Sequence, residues 1–316
     1  MPDPASLKTY GADALLPAGS SDDARAAIES DPMVQWGVSH NARWIDAQCA
    51  ATTVSAGPTS PAGTTPGASS GSQVSHNWSG FEYDGPGTGH RPYSYAGMEW
   101  TTPAAEAGVL TTQRDVSIWP GIGTGQSAND VLAQAGTQST AGPAGVQSTY
   151  AWTELYPVQP TEVQITNLPV GAGDMMGVTI SAGYLSQTAT TATTGDFGVC
   201  NMTHGTCVTI LFTVPSGGKI IGRNAEWIAE RPGIGSGFSE LDNFGSVQFT
   251  YVSAATAEAS ANYIWLTNAN RPGETTYRDT MKSCNGSTTL ADPGAQLGAN
   301  GAFTDFWVAH GQLESC

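Results

Sequence analysis

Six short clusters of carboxylate, carboxamide and indole side chains interrupt a chain otherwise dominated by Thr, Ser, Gly and Ala. They are Asn77-Trp78-Ser79-Gly80, Trp119-Pro120-Gly121-Ile122-Gly123, Leu132-Ala133-Gln134-Ala135-Gly136, Ala151-Trp152-Thr153-Glu154-Leu155-Tyr156-Pro157, Asn224-Ala225-Glu226-Trp227-Ile228-Ala229-Glu230-Arg231-Pro232 and Leu241-Asp242-Asn243-Phe244-Gly245. A carboxylate can take a proton from water as a general base and return it to a leaving group, provided its pKa lies near or below the working pH. A carboxamide does not titrate, so it can orient a water and donate N–H to a developing oxyanion at acid and neutral pH alike.

Other catalytic devices find little support. No Asp-Thr-Gly or Asp-Ser-Gly pair supplies the two carboxylates of an aspartic peptidase, and no CxxC or HExxH motif points to zinc, so no metal is expected. His40, His76, His90, His204 and His310 sit in turn-like contexts, and nothing points to a Ser-His-Asp triad, a device defined by geometry. Gly67-Ala68-Ser69-Ser70-Gly71 has the form of a nucleophile elbow, but that motif needs a strand before it and a helix after it, and neither is expected there.

Taken singly, Gln134 would pass for an inward-facing strand amide and Glu226 for a buried carboxylate satisfied by a neighbour. In their order along the chain, however, the six clusters closely resemble the eqolisins, the glutamic peptidase family. The resemblance runs from about Gln73 through Val252, with weaker support around Phe303 to Val308. It implies an acid-acting, pepstatin-insensitive endopeptidase that needs no cofactor. The family's catalytic glutamine lies in a Leu-x-Gln-x-Gly segment, which implies Gln134, and its catalytic glutamate opens Glu-Trp-Ile-x-Glu, which implies Glu226. A histidine in the place of the glutamine would be protonated and inert in acid. Glu154 is expected to support the pair, with Trp119 and Trp152 walling a substrate groove, although tryptophan in a sandwich is more often core. Asn77 and Trp78 open the first strand and would help close the site. Glu230 shares a face with Glu226 if the strand carries no bulge. The chain departs from the fungal pattern at Gln138, where an acidic residue is frequent four positions after the catalytic glutamine. The rival reading keeps the fold as a noncatalytic carbohydrate- or surface-binding sandwich, and a second rival is an intracellular structural domain.

These residues must be positioned by strands. Segments Ser94–Trp100, Arg114–Trp119, Val131–Gln138, Ser148–Leu155, Met176–Ala182, Thr206–Val214, Ser246–Val252, Asn262–Leu266 and Ala302–Val308 read as strands, several alternating, separated by turn signals at sandwich-like intervals. The expected fold is all-β, a two-sheet antiparallel β-sandwich of concanavalin-like form with a largely irregular N-terminal segment. Residues 1–49 are a candidate pro-region with one helical patch, where Ser21, Asp22 and Asp23 could cap a turn or two through Ala24, Ala27 and Ile28. Residues 50–72, all Ala, Thr, Val, Ser, Gly or Pro, read as a linker unable to bury enough surface to order itself. Residues 73–316 form the peptidase domain.

Composition agrees with a β protein: 39 Gly, 19 Pro and 12% charged residues among 316. With 11 Lys+Arg against 27 Asp+Glu the net charge is −16, which argues against a nucleic-acid partner. Few cations also mean little self-repulsion once carboxylates protonate, a composition suited to acid. No apolar run of about 18 residues occurs, so no membrane helix is expected. The expected partners are protein or peptide substrates, and the chain is expected to be a monomer. Cys200 and Cys207 flank a turn-like insert and would pair across a hairpin, while Cys284 and Cys316 could pair near the C-terminus, leaving Cys49 over. Asn77, Asn201 and Asn285 score as glycosylation sequons. No basic and apolar signal segment is visible at Met1, and an extracellular location is expected from acid tolerance, the disulfide and the resemblance.

Overall fold

The computed structural model describes residues 32–55 and 71–316, apart from residues 107, 109, 128, 144, 160, 185, 187, 216, 259–262, 268 and 295–298. After the helix Pro32–Ser39 come three short strands, β1 (Arg43–Trp44), β2 (Cys49–Ala51) and β3 (Val54–Ser55). Then follow β4 (Gly71–Ser75), β5 (Trp78–Asp84), β6 (Tyr93–Thr101), β7 (Arg114–Ile122), β8 (Leu132–Ala141), β9 (Gln147–Tyr156), β10 (Val163–Ile165), β11 (Met175–Ala182), β12 (Thr194–Asn201), β13 (Thr206–Thr213), β14 (Asn224–Glu230) and β15 (Gly233–Ile234). The longer later strands are Ser246–Thr256, Thr275–Lys282, Thr289–Pro293 and Phe303–Trp307.

Pairing arranges them as two layers of one sandwich. The first runs β2, β10, β9, β8, β7, β14, β5 and Thr275–Lys282. The second runs Ser246–Thr256, β6, β11, β12, β13 and β1. Thr289–Pro293 and Phe303–Trp307 join the layers by pairing in turn with strands of each.

Alternation in β14 shows why the layers stack. Ala225, Trp227 and Ala229 point into the core between sheets, while Glu226, Ile228 and Glu230 point the other way. Phe81, Ile118, Ile122, Ala133 and Ala135 join that core from the first sheet, meeting Met98, Trp100, Val178 and Phe249 of the second. Two indoles tie the layers reciprocally. Trp227 donates Nε1–H to the Gly97 carbonyl at 3.1 Å, and Trp100 donates to Thr137 Oγ1 at 3.2 Å, so neither buried N–H is orphaned.

Within the N-terminal segment, three short strands among the described residues are paired: β1 with β13, β2 with β10, and β3 with β15. Both ends of the stretch 50–72 are therefore ordered, since β4 also pairs with Thr275–Lys282. Sheet edges offer unpaired N–H and C=O groups, and backbone pairing takes them up whatever the side chains are. The helical patch at 21–28 and most of the Gly67–Gly71 motif lie outside the described residues. Of the expected strand Asn262–Leu266, whose first residue lies outside the described residues, Ile264–Trp265 is found as a strand. Thr194–Asn201, Thr275–Lys282 and Thr289–Pro293 are strands that alternation alone did not single out.

Cys200 and Cys207 lie directly opposite one another on β12 and β13 and are bonded; Cys284 is bonded to Cys316, and Cys49 is free and exposed. Of the three sequons, Asn77 and Asn201 are fully buried and hydrogen-bonded, which removes them as modification sites, whereas Asn285 is exposed.

Candidate active site

Register builds the site. Across the first sheet, Tyr277 lies opposite Glu82, Glu82 opposite Glu226, Glu226 opposite Gly121, Gly121 opposite Gln134, and Gln134 opposite Glu154. Residues opposed in this way project from one face, so four strands, β5, β14, β8 and β9, deliver Glu82, Glu226, Gln134 and Glu154 in a single row on the side turned away from the core. At about 4.8 Å per strand, the Cα atoms of Glu226 and Gln134 stand about 10 Å apart. Between them Gly121 contributes no side chain. A Cβ there would come within 2.8 Å of both Leu132 Cδ1 and Trp119 Cζ3, so the gap depends on glycine.

One step along the strands, the next row is apolar. Ile228, Trp119 and Trp152 pack with Trp78 and Leu132 into a cluster separate from the main core. Trp78 and Trp119 meet edge to face, 5.2 Å between centroids. A further step along stands Glu230, which accepts hydrogen bonds from Asn77 Nδ2 at 2.8 Å and Trp119 Nε1 at 2.7 Å. β14 is unbulged against both neighbours, so Glu226 and Glu230 do share a face. Every residue singled out from the sequence, Gln134, Glu226, Trp119, Trp152, Glu154, Asn77, Trp78 and Glu230, therefore falls on this face or at its edge. Trp119 and Trp152 lie on this face of the sheet, and both are fully buried.

Gln134 donates from Nε2 to Glu154 Oε2 at 3.0 Å, and the other oxygen of Glu154 accepts from Ser55 Oγ of β3 at 3.0 Å. A carboxylate accepts only, so this bond fixes which end of the Gln134 amide is nitrogen. Glu226 is 1% exposed, and Gln134 and Glu154 are 0% exposed. Neither Glu226 oxygen has a partner of good hydrogen-bond geometry among the described residues. Burial pushes the Glu226 carboxyl well above the usual range, and the nearby charges of Glu82, Asp279 and Asp130 push the same way, against a small opposing effect of the Asn224 amide.

Sequence reasoning missed two carboxylates here. Glu82, 6% exposed, accepts from Gln73 Nε2 and, at 3.2 Å, from Asn224 Nδ2. Burial raises its pKa to about 7 despite these amides. Asp279 lies opposite Gly80, and burial followed by the Glu82 charge raises it well above the ordinary range. The signal for Glu82 was available: Trp78, Gly80 and Glu82 alternate on one face of β5. Gln138, the departure noted from the sequence, donates to Asp115 Oδ1 at 2.9 Å and accepts from Ser117.

An acceptor-anchored amide and a carboxyl facing one another across an empty glycine position can hold a water and a carbonyl between them. Comparison with known proteins points to a peptidase family. The family model described as the Peptidase A4 family matches residues 76–292. Aspergillopepsin-2 of Aspergillus niger is 28% identical over 199 residues, 58% of the chain, and the match spans 65% of that protein's length. The crystal structure of scytalido-glutamic peptidase with a transition state analog inhibitor superposes with a TM-score of 0.55 at 20% identity, covering 74% of this chain and 98% of that one, a likeness of fold.

Proposed function

The chain belongs to the Peptidase A4 family, and on that premise we propose that it is a glutamic endopeptidase that hydrolyses internal bonds of protein and peptide chains in acid. The observation that carries the reading is the row itself, in which Gln134 and Glu226 face one another across Gly121. In this reading a scissile carbonyl and one water would lie between them. Glu226 as carboxylate removes a proton from the water, whose oxygen attacks the carbonyl carbon. The carbonyl electrons move to oxygen, where a Gln134 N–H stabilises the charge. The proton on Glu226 then passes to the amide nitrogen, and the C–N bond breaks. Glu154 holds the Gln134 amide in orientation, and Glu230 fixes the Trp119 indole beside the gap. In the closed site Glu226 is a neutral acid, so entry of solvent with the substrate is what lets it ionise.

Residues 1–49 act as a pro-region of a secreted zymogen in this reading, with 50–72 as the linker removed with it. Its support is β3, whose Ser55 occupies Glu154 beside Gln134, together with two disulfides suited to an extracellular protein.

Incubation of denatured protein with the full chain between pH 2 and pH 6 tests both parts. Wild type should cleave, and Gln134→Ala and Glu226→Gln should each lose at least about a hundredfold in kcat. Undiminished cleavage by both variants overturns the mechanism, and no cleavage by wild type favours a binding sandwich instead. N-terminal sequencing of the same sample should find a start beyond residue 72; a persistent Met1 overturns the pro-region.

A further inference from the structure

We propose that Glu82 is a positioning residue of this site, paired with Glu226 so that the two carboxyls titrate as one unit and together set the pH range in which Glu226 serves as base. The proposal rests on the peptidase reading only for its kinetic consequence, since the pairing itself is a property of the folded chain.

Geometry carries it. Glu82 and Glu226 are directly opposed on neighbouring strands, where Cβ atoms stand about 5 Å apart and like charges repel. Both are buried, so solvent screens the repulsion little. A sheet places two buried carboxyls in this relation at a cost unless a proton is shared between them. The two members are also held differently. Glu82 accepts two amide N–H groups, from Gln73 on β4 and Asn224 on β14, which favour its charged form. Glu226 has no such pair of donors. The charge of the pair therefore settles on Glu82 first, and Glu226 keeps the proton.

The surrounding charges leave that ordering intact. On β5 itself stands Asp84, bound by Arg223 at 2.7 Å. From Thr275–Lys282 come Tyr277, opposite Glu82, and Asp279, whose carboxyl is raised in turn by Glu82. Ahead of β8 lies Asp130, which acts on Glu226, and β7 offers only Gly121 at this level. Among the described residues that act on the pair, Arg223 is the one cation, and it is committed to Asp84 at the surface. With carboxyl groups on both sides and Arg223 committed to Asp84, a charged Glu82 raises the proton affinity of Glu226.

The test follows the protonation of Glu226 directly. Carbon-13 side-chain NMR of glutamate-labelled full chain is titrated from pH 2 to pH 9, with the Glu226 signal assigned by its loss in Glu226→Gln. In Glu82→Gln, and independently in Glu82→Leu should the amide variant fold poorly, the Glu226 midpoint is expected to fall by about one to two pH units. A midpoint within about 0.3 units of wild type in whichever variant folds overturns the proposal. A structural role alone would lower thermal stability without moving that midpoint. Kinetics on a quenched-fluorescent peptide then separate the two ideas. If the midpoint moves and the acid limb of kcat/KM moves with it, both hold. If the midpoint moves but Glu226→Gln cleaves like wild type, the pairing stands and the peptidase mechanism fails.

Discussion

At the scale of single residues, the Gln134 amide is held by a neighbour. Its nitrogen is committed to Glu154, and that commitment chooses the direction of the remaining N–H. Glu154→Leu should therefore leave binding nearly unchanged and lower kcat about tenfold to a hundredfold. Steady-state kinetics on one peptide checks it, and a rise in KM with kcat intact would mean that Glu154 contacts substrate instead. Gln134 and Glu226 were legible in the sequence because each sits in a cluster whose order repeats that of a known family. Glu82 shares a face with Trp78 and Gly80 by alternation, but its burial depends on β14 and Thr275–Lys282 closing on it from either side, which the local sequence does not show.

Strands explain which parts of the fold could be read in advance. β6, β7, β8, β9, β11 and β13 carry enough β-branched and aromatic residues in alternation to announce themselves, and their expected bounds lie close to those found. β12 is interrupted by Gly195 and Gly198, which weaken that signal while serving the packing; a Cβ at Gly195 would lie 2.1 Å from the Ser181 carbonyl oxygen. β2 and β3 were hidden for a different reason, since Ala, Val and Ser pair through their backbones and show no pattern. Gly80 on β5 is the sharpest case of an element resting on one position. Its φ is +152°, and a Cβ there would meet the Trp227 carbonyl oxygen at 2.1 Å. Gly80→Ala should push β5 away from β14 and lower the melting midpoint by roughly 5 to 10 °C. Calorimetry in acid would show it, and a shift below 1 °C would mean that β5 yields freely.

For the molecule as a whole, burial of acidic groups governs response to pH. Besides Glu82, burial raises Glu99 to about 7, Glu162 to about 8, Asp242 to about 6 and Asp305 to about 7. Their unfolded values lie near 4. Between those limits the folded chain binds more protons than the unfolded one, so stability falls as pH rises. The contribution is complete below about pH 4 and is lost as pH passes through 6 to 8. At about 1.4 kcal/mol per unit, even part of these shifts sums to on the order of 5 kcal/mol. The melting midpoint should thus drop by roughly 10 °C or more between pH 4 and pH 8, and an equal or higher midpoint at pH 8 would contradict the account. A net charge of −16 adds self-repulsion in the same direction.

The pairing of Glu82 with Tyr277 bears on when the site comes into existence. A ribosome delivers Glu82 early, but its outer neighbour in the sheet is almost two hundred residues further along the chain. Contacts so distant in sequence form late and slowly. Until Thr275–Lys282 arrives, β5 has an open edge and the carboxyl row lacks its far wall, so the nascent chain is without the environment that tunes Glu226. Synthesis order thereby delays assembly of the candidate centre until Thr275–Lys282 has emerged.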